Sequence, residues 1–278
     1  MDLAVRVIEP TTRHTHTVVI PTRPCSENYT LIEAFPSFRW VFPQSLLRDC
    51  IAIPGNKWSQ WFDIWDTRDF SKREDVQAEG LRESVASIRR IILTEIASLG
   101  GRSDRIILAG ISQGAATAVH TLLNLDLPQP PVLNNTDTQQ QQDALGHLAA
   151  FLGFSCRMPF PGRPLAEVRR ILSIEGAPQG DEDGVLRHTP MLLEHCKDDM
   201  TVPITSGRVL RDTLRGYGID VAWREYFDGG HWFHSPLGID DAIAFIKARV
   251  LDIPPGNAYV GTLKPEVRPE NDVDMDIL

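Results

Sequence analysis

The sequence is poor in cysteine, and the few that it has are scattered. Four cysteines stand at positions 25, 50, 156 and 196 of 278 residues, and none forms a C-x-x-C pair or a cluster with the spacing of metal ligands. Scattered cysteines are typical of a reducing compartment, so we expect free thiols. Cys196 is expected to be a buried structural thiol.

Basic charge and long apolar runs are lacking as well. Lysine and arginine total 28 against 37 acidic residues, which gives a net charge of −9, and no basic stripe is present. An acidic surface repels phosphate, so a nucleic-acid partner is not expected. No stretch reaches the roughly 18 apolar residues of a membrane span, and the first residues do not follow the pattern of a secretory signal. We therefore expect a cytosolic protein without stable membrane insertion.

Short apolar runs alternate along the chain with segments of helical periodicity. Leu81, Val85, Ile88, Ile92 and Ile96 recur at three- and four-residue steps, which predicts one face of a long helix. Strands are predicted at 17–20, 39–42, 105–109, 148–154, 190–195 and 220–226, and helices at 75–99, 115–125, 204–217 and 239–250. This alternation predicts an α/β fold with a mainly parallel central sheet and helices on both faces.

Two segments differ in composition from the rest. Residues 126–143 are rich in proline, asparagine and glutamine, and residues 264–278 are acidic and contain proline. Neither segment carries enough apolar surface to pack. We interpret 126–143 as a mobile insertion in a single domain that spans residues 1–263, and 264–278 as a disordered tail.

One short motif carries a specific chemistry. Gly110-Ile111-Ser112-Gln113-Gly114 fits G-x-S-x-G, and it lies between an apolar strand and a helical segment, as this motif requires. The strained turn presents Ser112 as a nucleophile, and the flanking glycines avoid collisions with the strand and helix. The backbone N–H of Gln113, at the positive end of the helix, is the expected donor to an oxyanion.

A serine nucleophile needs a base and an acid, and where G-x-S-x-G forms such a strand–turn–helix the chain order is Ser, then Asp or Glu, then His. Of eight histidines, His231 and His234 lie after the last predicted strand and before the last helix. We favour His231, because Gly229 and Gly230 precede it in a flexible turn. The acid is expected just after the strand 190–195, where periodicity does not choose between Asp198 and Asp199.

Four sequence blocks together resemble a known family. They are Trp61-Phe62-Asp63 with the following Glu79-Gly80-Leu81-Arg82-Glu83-Ser84, the segment Arg105 to Ala115, the segment His195 to Pro203, and Gly229-Gly230-His231. In order and spacing they resemble the acyl-protein thioesterases and lysophospholipase-like carboxylesterases, a branch of the α/β-hydrolases. The likeness spans roughly residues 14–250.

The resemblance implies an α/β-hydrolase fold and hydrolysis of carboxylic esters or thioesters with long acyl chains, which a protein could carry, without a metal or other cofactor. The family acid lies four residues before the proline of H-G-x-x-D-x-x-V-P, which selects Asp199. The likeness also supports His231. Cys196 stands where the family has glycine.

The loop after the first predicted strand departs from the family pattern. Family members have L-H-G-x-G there, and the leucine supplies a second oxyanion N–H, whereas this chain has Pro21, which has no N–H. Losing one such donor costs about 100- to 1000-fold in rate. Thr22 could substitute if the chain folds back.

Three functional interpretations therefore stay open at the level of sequence: a serine esterase or thioesterase of the family type, a hydrolase for a small-metabolite or carrier-bound acyl group, and a catalytically impaired fold that binds an acyl ligand or a partner. For the first, Trp58, Trp61 and Phe62 are candidates for an apolar acyl pocket, with core packing as the alternative interpretation.

Overall fold

A mainly parallel sheet forms the centre of the structure. The computed structural model describes residues 3–22, 26–52, 54–127, 146–180 and 184–253. Within these residues, a seven-stranded sheet has the order β1-β3-β2-β6-β7-β8-β9, and only β1 runs antiparallel to its neighbour. Its strands are β1 (Val5–Ile8), β2 (His16–Val19), β3 (Phe38–Pro43), β6 (Ile106–Ile111), β7 (Ala150–Phe154), β8 (Met191–Cys196) and β9 (Val221–Tyr226). A separate antiparallel pair consists of β4 (Leu46–Asp49) and β5 (Lys57–Gln60).

Helices cover both faces of the sheet, which confirms the predicted fold class. The helices are α1 (Ser26–Ala34), α2 (Gln77–Ser98), α3 (Ser112–Leu123), α4 (Leu165–Leu172), α5 (Gly184–His188), α6 (Ile204–Gly216) and α7 (Leu237–Arg249). Residues of α2, α3, α4 and α6 pack in one hydrophobic cluster, and residues of α1 and α7 pack in a second cluster on the opposite face. No helix among the described residues is long and apolar enough to cross a membrane.

The long amphipathic helix lies where periodicity predicted it. The five predicted positions are buried in α2, with exposed fractions of 0% for Leu81, Val85, Ile88 and Ile92 and 4% for Ile96. Burying such a side chain contributes about 1.5–3 kcal/mol, so this stripe anchors α2 to the sheet. The predicted helix 75–99 differs at its first turn, which is a 3-10 helix over Glu74–Val76.

Several short elements were not predicted from the sequence. They are β1, α1, the β4–β5 pair, α4 and α5. The strand over 220–226 is the edge strand β9, as expected. Most of the predicted insertion 126–143 and all of the predicted tail 264–278 lie outside the described residues.

A buried histidine in α3 couples the core to pH. His120 is fully buried, and its Nε2 lies 3.0 Å from the carbonyl oxygen of Pro159, so Nε2 carries the proton. Its Nδ1 has no hydrogen-bond partner among the described residues. Burial lowers the pKa of His120 to about 4, against the effect of the Pro159 hydrogen bond. The folded chain therefore holds this ring neutral.

We predict that the protein loses stability as the pH falls from 7 to 5, and that His120→Gln reduces this loss. Unfolded, His120 binds a proton near pH 6.5, whereas the folded chain does so only near pH 4. In this window the unfolded state binds more protons, which costs up to about 1.4 kcal/mol of stability per pH unit. Burial also lowers the pKa of half-buried His16 to about 4. His16 therefore accounts for part of the pH dependence of stability that remains in His120→Gln.

The measurement is the free energy of unfolding from urea titrations at pH 5, 6 and 7. His188→Gln is the matched control, because His188 is exposed, and its slope is expected to equal that of the native chain. Equal slopes for native protein and H120Q would contradict the account.

Candidate active site

Ser112 lies on a sharp turn at the end of a central strand. Strand β6 ends at Ile111, α3 begins at Ser112, and Ser112 has a φ of 51°, in the left-handed region that non-glycine residues rarely adopt. A Cβ on Gly110 would lie 2.7 Å from the backbone of Ala115, and one on Gly114 would lie 2.0 Å from the Pro21 carbonyl oxygen. Glycine at both positions therefore allows the strand, the helix and the Pro21 segment to meet at this strained turn.

His231 is held by a turn between β9 and α7. Gly229 and Gly230 have φ values of 122° and 66°, which glycine adopts without strain. The N–H of Gly230 donates to Asp198 Oδ1 at 2.9 Å, and a Cβ on Gly229 would lie 2.7 Å from Cys196 Sγ. The end of β8 thus fixes the turn that carries His231.

Ser112, His231 and Asp199 form a continuous hydrogen-bonded chain. His231 Nε2 lies 2.8 Å from Ser112 Oγ, and His231 Nδ1 lies 2.8 Å from Asp199 Oδ2. An ionised carboxylate only accepts hydrogen bonds, so Nδ1 carries the ring proton and Nε2 is free to accept the Ser112 hydroxyl proton. The three predicted residues are therefore brought together in the arrangement that a serine nucleophile and its base require.

Asp199 is a buried carboxylate with four donors. Its side chain has an exposed fraction of 0%. Oδ1 accepts from the N–H groups of Thr201 and Val202 at 2.9 and 2.8 Å, while Oδ2 lies near His231 Nδ1 and His195 Nε2. Burial alone would raise the pKa of Asp199, but these hydrogen bonds outweigh it and hold the pKa well below its usual range. Asp199 is therefore ionised at neutral pH.

His195 is a neighbour of the acid that the sequence reasoning did not identify. Its Nε2 lies 3.2 Å from Asp199 Oδ2 and 2.8 Å from the Val202 carbonyl oxygen. Both neighbours accept, so Nε2 carries the proton. The ring is 1% exposed and packs against helix α6, where a Cβ on Gly207 would lie 2.4 Å from His195 Nδ1. The sequence signals were the four-residue spacing between His195 and Asp199 and the place of His195 at the start of the H-G-x-x-D-x-x-V-P block.

His234 and Asp198, the alternatives considered for the base and the acid, lie outside the hydrogen-bonded arrangement of Ser112, His231 and Asp199. The ring of His234 stacks on Tyr226 at 4.5 Å, and its Nε2 lies 3.3 Å from Asp228 Oδ1 rather than near Asp199. Asp198 accepts the Gly230 N–H and so holds the histidine turn. The structure thus places Asp199, and not Asp198, against His231.

The side chain of Gln113 ties the turn to a distant loop. Its Oε1 accepts the Trp61 N–H at 2.8 Å, and its Nε2 donates to the Phe62 carbonyl oxygen at 2.9 Å. Phe62 is 0% exposed and Trp61 is 5% exposed, and both belong to the core cluster around α2 and α3. Both side chains thus pack in the core, which is the alternative interpretation named above, and their assignment to an acyl pocket stays a prediction. Trp58 is half-buried on β5, and its assignment stays a prediction.

Three residues near Ser112 bear on the predicted oxyanion donors. Pro21 lies beside the strained turn at Ser112, with its carbonyl oxygen against Gly114, and it has no N–H. The N–H of Thr22, the substitute considered above, donates to the Ile20 carbonyl oxygen at 2.8 Å. The Gln113 N–H lies in the first turn of α3, where backbone N–H groups have no partner within the helix. Gln113 is the one of the three whose N–H is left without a partner in the helix, and its role as oxyanion donor stays a prediction.

Free thiols and metal ligands complete the inventory of reactive groups. Cys50, Cys156 and Cys196 are unpaired and buried, and Cys25 lies outside the described residues. Burial, aided by nearby carboxylates, raises the pKa of the Cys196 thiol to about 12, so this thiol is inert. In the described part of the chain, no group of three or more His, Cys, Asp or Glu is placed to hold a metal ion. Chemistry without a cofactor stays a prediction.

Comparison with known proteins places this site in a family context. The profile of the Phospholipase/Carboxylesterase family matches residues 25–134. Acyl-protein thioesterase 1 of Gibberella zeae is 26% identical over 83% of this chain and 84% of its own length. A probable inactive carboxylesterase of Oryza sativa subsp. japonica is 25% identical over 74% of this chain and 70% of its own length.

A solved structure has the same fold. The crystal structure of Zea mays acyl-protein thioesterase 2 superposes with a TM-score of 0.62 at 24% identity, and the match covers 89% of this chain and 99% of that one. The G-x-S-x-G turn lies within the region matched by the family profile, and the sheet and helices agree with the α/β-hydrolase architecture. The chain is thus similar to the acyl-protein thioesterases, and residues 25–134 match the Phospholipase/Carboxylesterase family within an α/β-hydrolase fold.

Proposed function

We propose that the protein is a serine hydrolase that cleaves a carboxylic ester or acyl thioester through an acyl-enzyme. The observation that carries the proposal is the pair of 2.8 Å hydrogen bonds that join Ser112, His231 and Asp199 at a strained turn. The kinship with carboxylesterases and thioesterases supports the reaction class. The cytosolic location expected from the sequence stays a prediction.

In the proposed reaction, Ser112 Oγ attacks the acyl carbonyl carbon and its proton passes to His231 Nε2. Asp199 stabilises the imidazolium, and the Gln113 N–H at the start of α3 donates to the oxyanion. The tetrahedral intermediate collapses, and the leaving alcohol or thiol takes the proton from His231. Water then attacks the acyl-enzyme, with His231 as its base, and releases the acid and free Ser112.

A second candidate is a catalytically impaired hydrolase fold that binds an acyl ligand or a partner. One specific observation favours it. Neither Pro21 nor Thr22 offers a free N–H to an oxyanion at the turn of Ser112. A related protein from rice carries the name probable inactive carboxylesterase. The two candidates differ in turnover, because a hydrolase with one oxyanion donor is slow but still turns over, whereas a binding protein does not.

We predict that Ser112→Ala abolishes hydrolysis of p-nitrophenyl esters and leaves the chain folded. The substitution removes the nucleophile and preserves the backbone of the turn, since alanine lacks only the hydroxyl. Turnover, the circular dichroism spectrum and the thermal midpoint are measured for native protein and variant. Undiminished turnover by the variant would show that the nucleophile lies elsewhere.

We predict that Asp199→Asn lowers kcat by about 10,000-fold, whereas Asp198→Asn changes it by less than about tenfold. Asparagine at 199 no longer favours the His231 tautomer that accepts the serine proton. Asparagine at 198 keeps an oxygen that accepts the Gly230 N–H, so the turn is preserved. The two variants are each other's matched control, and equal damage from both, or the reverse ranking, contradicts the assignment.

We predict that the native kcat on an aryl ester lies well below about 10 per second, a typical enzyme rate, because one oxyanion donor is missing. Replacing residues 21–25 with the family-like Leu-His-Gly-x-Gly raises kcat by up to about 1000-fold, since leucine supplies the N–H that Pro21 lacks.

The matched control is the same graft with proline in its first position, which differs by that N–H and the side chain. Equal kcat values for the two grafts, or a native rate already near 10 per second, would show that the missing N–H does not limit the enzyme.

A further inference from the structure

A cleft beside the hydrogen-bonded chain carries a buried positive charge. The cleft has a volume of about 630 Å³ and mixes apolar and charged walls. The lining residues that matter here are Phe70, Glu74, Arg157, Met158, Arg163 and Met200. Apolar walls with a few placed polar groups are the usual composition of a small-molecule site.

Arg157 supplies the charge and is held rigidly. It is 7% exposed, and its guanidinium lies 4.1 Å from the ring centroid of Phe70 and 5.6 Å from that of Phe62. Nη2 donates to Gln77 Oε1 at 2.9 Å. Burial lowers the pKa of Arg157 to about 10, so the group is still charged at neutral pH. Among the described residues no carboxylate forms an ion pair with it, which is uncommon for a buried charge.

Three other charged groups of the cleft have hydrogen-bond or ion-pair partners of their own. Glu74 Oε1 accepts the Phe160 N–H at 2.6 Å, and Asp69 Oδ1 accepts the Ser71 hydroxyl at 2.6 Å. Arg163 at the rim pairs with Glu167 at 2.7 Å. Arg157 and the exposed Arg68 are the cations of this cleft that form no ion pair among the described residues, and Arg157 is the buried one of the two. The carboxylate of Glu74 acts on Arg157 through its charge, without an ion pair.

Two structural links connect the cleft to the candidate active site. The Phe62 ring under Arg157 belongs to the residue whose carbonyl oxygen accepts from the side chain of Gln113, which adjoins Ser112. On the other side, Thr201 lines the cleft and its N–H donates to Asp199 Oδ1. Arg157 itself follows β7, the sheet neighbour of β6, so it lies at the same carboxyl edge as Ser112.

We propose that this cleft binds a carboxylate of the substrate on the Arg157 guanidinium, so that the enzyme prefers acidic esters or thioesters. The inference rests on the proposed hydrolase function. The planar guanidinium matches a carboxylate in two parallel hydrogen bonds. Phe70, Met158 and Met200 then contact the methylene chain between the carboxylate and the reacting carbonyl.

The test compares kcat/KM for p-nitrophenyl butyrate with that for mono-p-nitrophenyl succinate, glutarate and adipate, which place a carboxylate at increasing distance on the acyl side. 4-Carboxyphenyl butyrate places it on the leaving group.

We expect the native protein to prefer one acidic ester over the neutral one. Arg157→Gln should lower kcat/KM on that ester by about 10- to 100-fold and change the neutral ester by less than about threefold. Arg163→Gln, at the exposed rim, is the matched control and should change either ester by less than about fivefold.

Equal losses on acidic and neutral esters in R157Q would show that Arg157 is structural, and the absence of any native preference for an acidic ester would overturn the proposal.

A direct binding measurement separates this proposal from the proposed function. Glutarate and neutral glutaramide are titrated calorimetrically into the native protein, and the carboxylate site predicts binding of glutarate alone. If no ester is hydrolysed, the proposed function fails while glutarate binding that is absent from R157Q still supports the anion site. If R157Q does not fold, R157K, which keeps the charge but not the planar fork, replaces it. Native protein that binds neither compound overturns the anion site.

Discussion

The buried carboxylate of Asp199 is the group on which the candidate site depends. Removing an ionised carboxylate from water costs several kcal/mol. Hydrogen bonds to a charged group contribute about 1.5–3 kcal/mol each, so the donors from Thr201, Val202, His195 and His231 together exceed that cost. The lowered pKa of Asp199 expresses the same balance. The carboxylate stays ionised and fixes the ring orientation of His231.

The parallel sheet explains why these groups meet at one edge. Strands β6, β7, β8 and β9 run in the same direction, so the segments after them converge at their carboxyl ends. The turn after β6 supplies Ser112, the segment after β8 supplies Asp199, and the turn after β9 supplies His231. The segment after β7 carries Arg157, which places a buried charge at the same edge of the sheet. Gln113 then links this edge to the loop at Trp61.

The sequence alone predicted the groups that a local motif defines. Ser112 was predicted because G-x-S-x-G between a strand and a helix indicates a strained turn that presents the serine as a nucleophile. The Gly229–Gly230 turn favoured His231. Asp199 needed the family resemblance, because two adjacent aspartates have the same periodicity and differ only in which one the backbone turns toward His231. His195 was not identified as a partner of the acid, because the spacing to Asp199 does not show that its ring turns toward the carboxylate. Arg157 was not identified, because Phe62, Phe70 and Gln77 around it are distant in the chain.

The errors in the predicted structure have physical reasons as well. Helix α4 was not predicted, although Leu165, Val168 and Leu172 follow helical spacing and are buried, because a window of eight residues gives a weak periodic signal. Trp61 and Phe62 stayed open between a pocket and the core at the level of sequence, because aromatic side chains suit both. Their burial depends on α2 and α3 packing around them, and no local pattern records that.

The central claim is that the hydrogen-bonded chain makes Ser112 unusually nucleophilic. The most direct measurement is reaction of the folded protein with a fluorophosphonate, followed by tandem mass spectrometry of its peptides. The account predicts a single phosphonyl adduct on Ser112, and no adduct after the protein has been denatured before exposure. An adduct on another serine, or an unmodified Ser112 in folded protein after prolonged exposure to excess reagent, would contradict it.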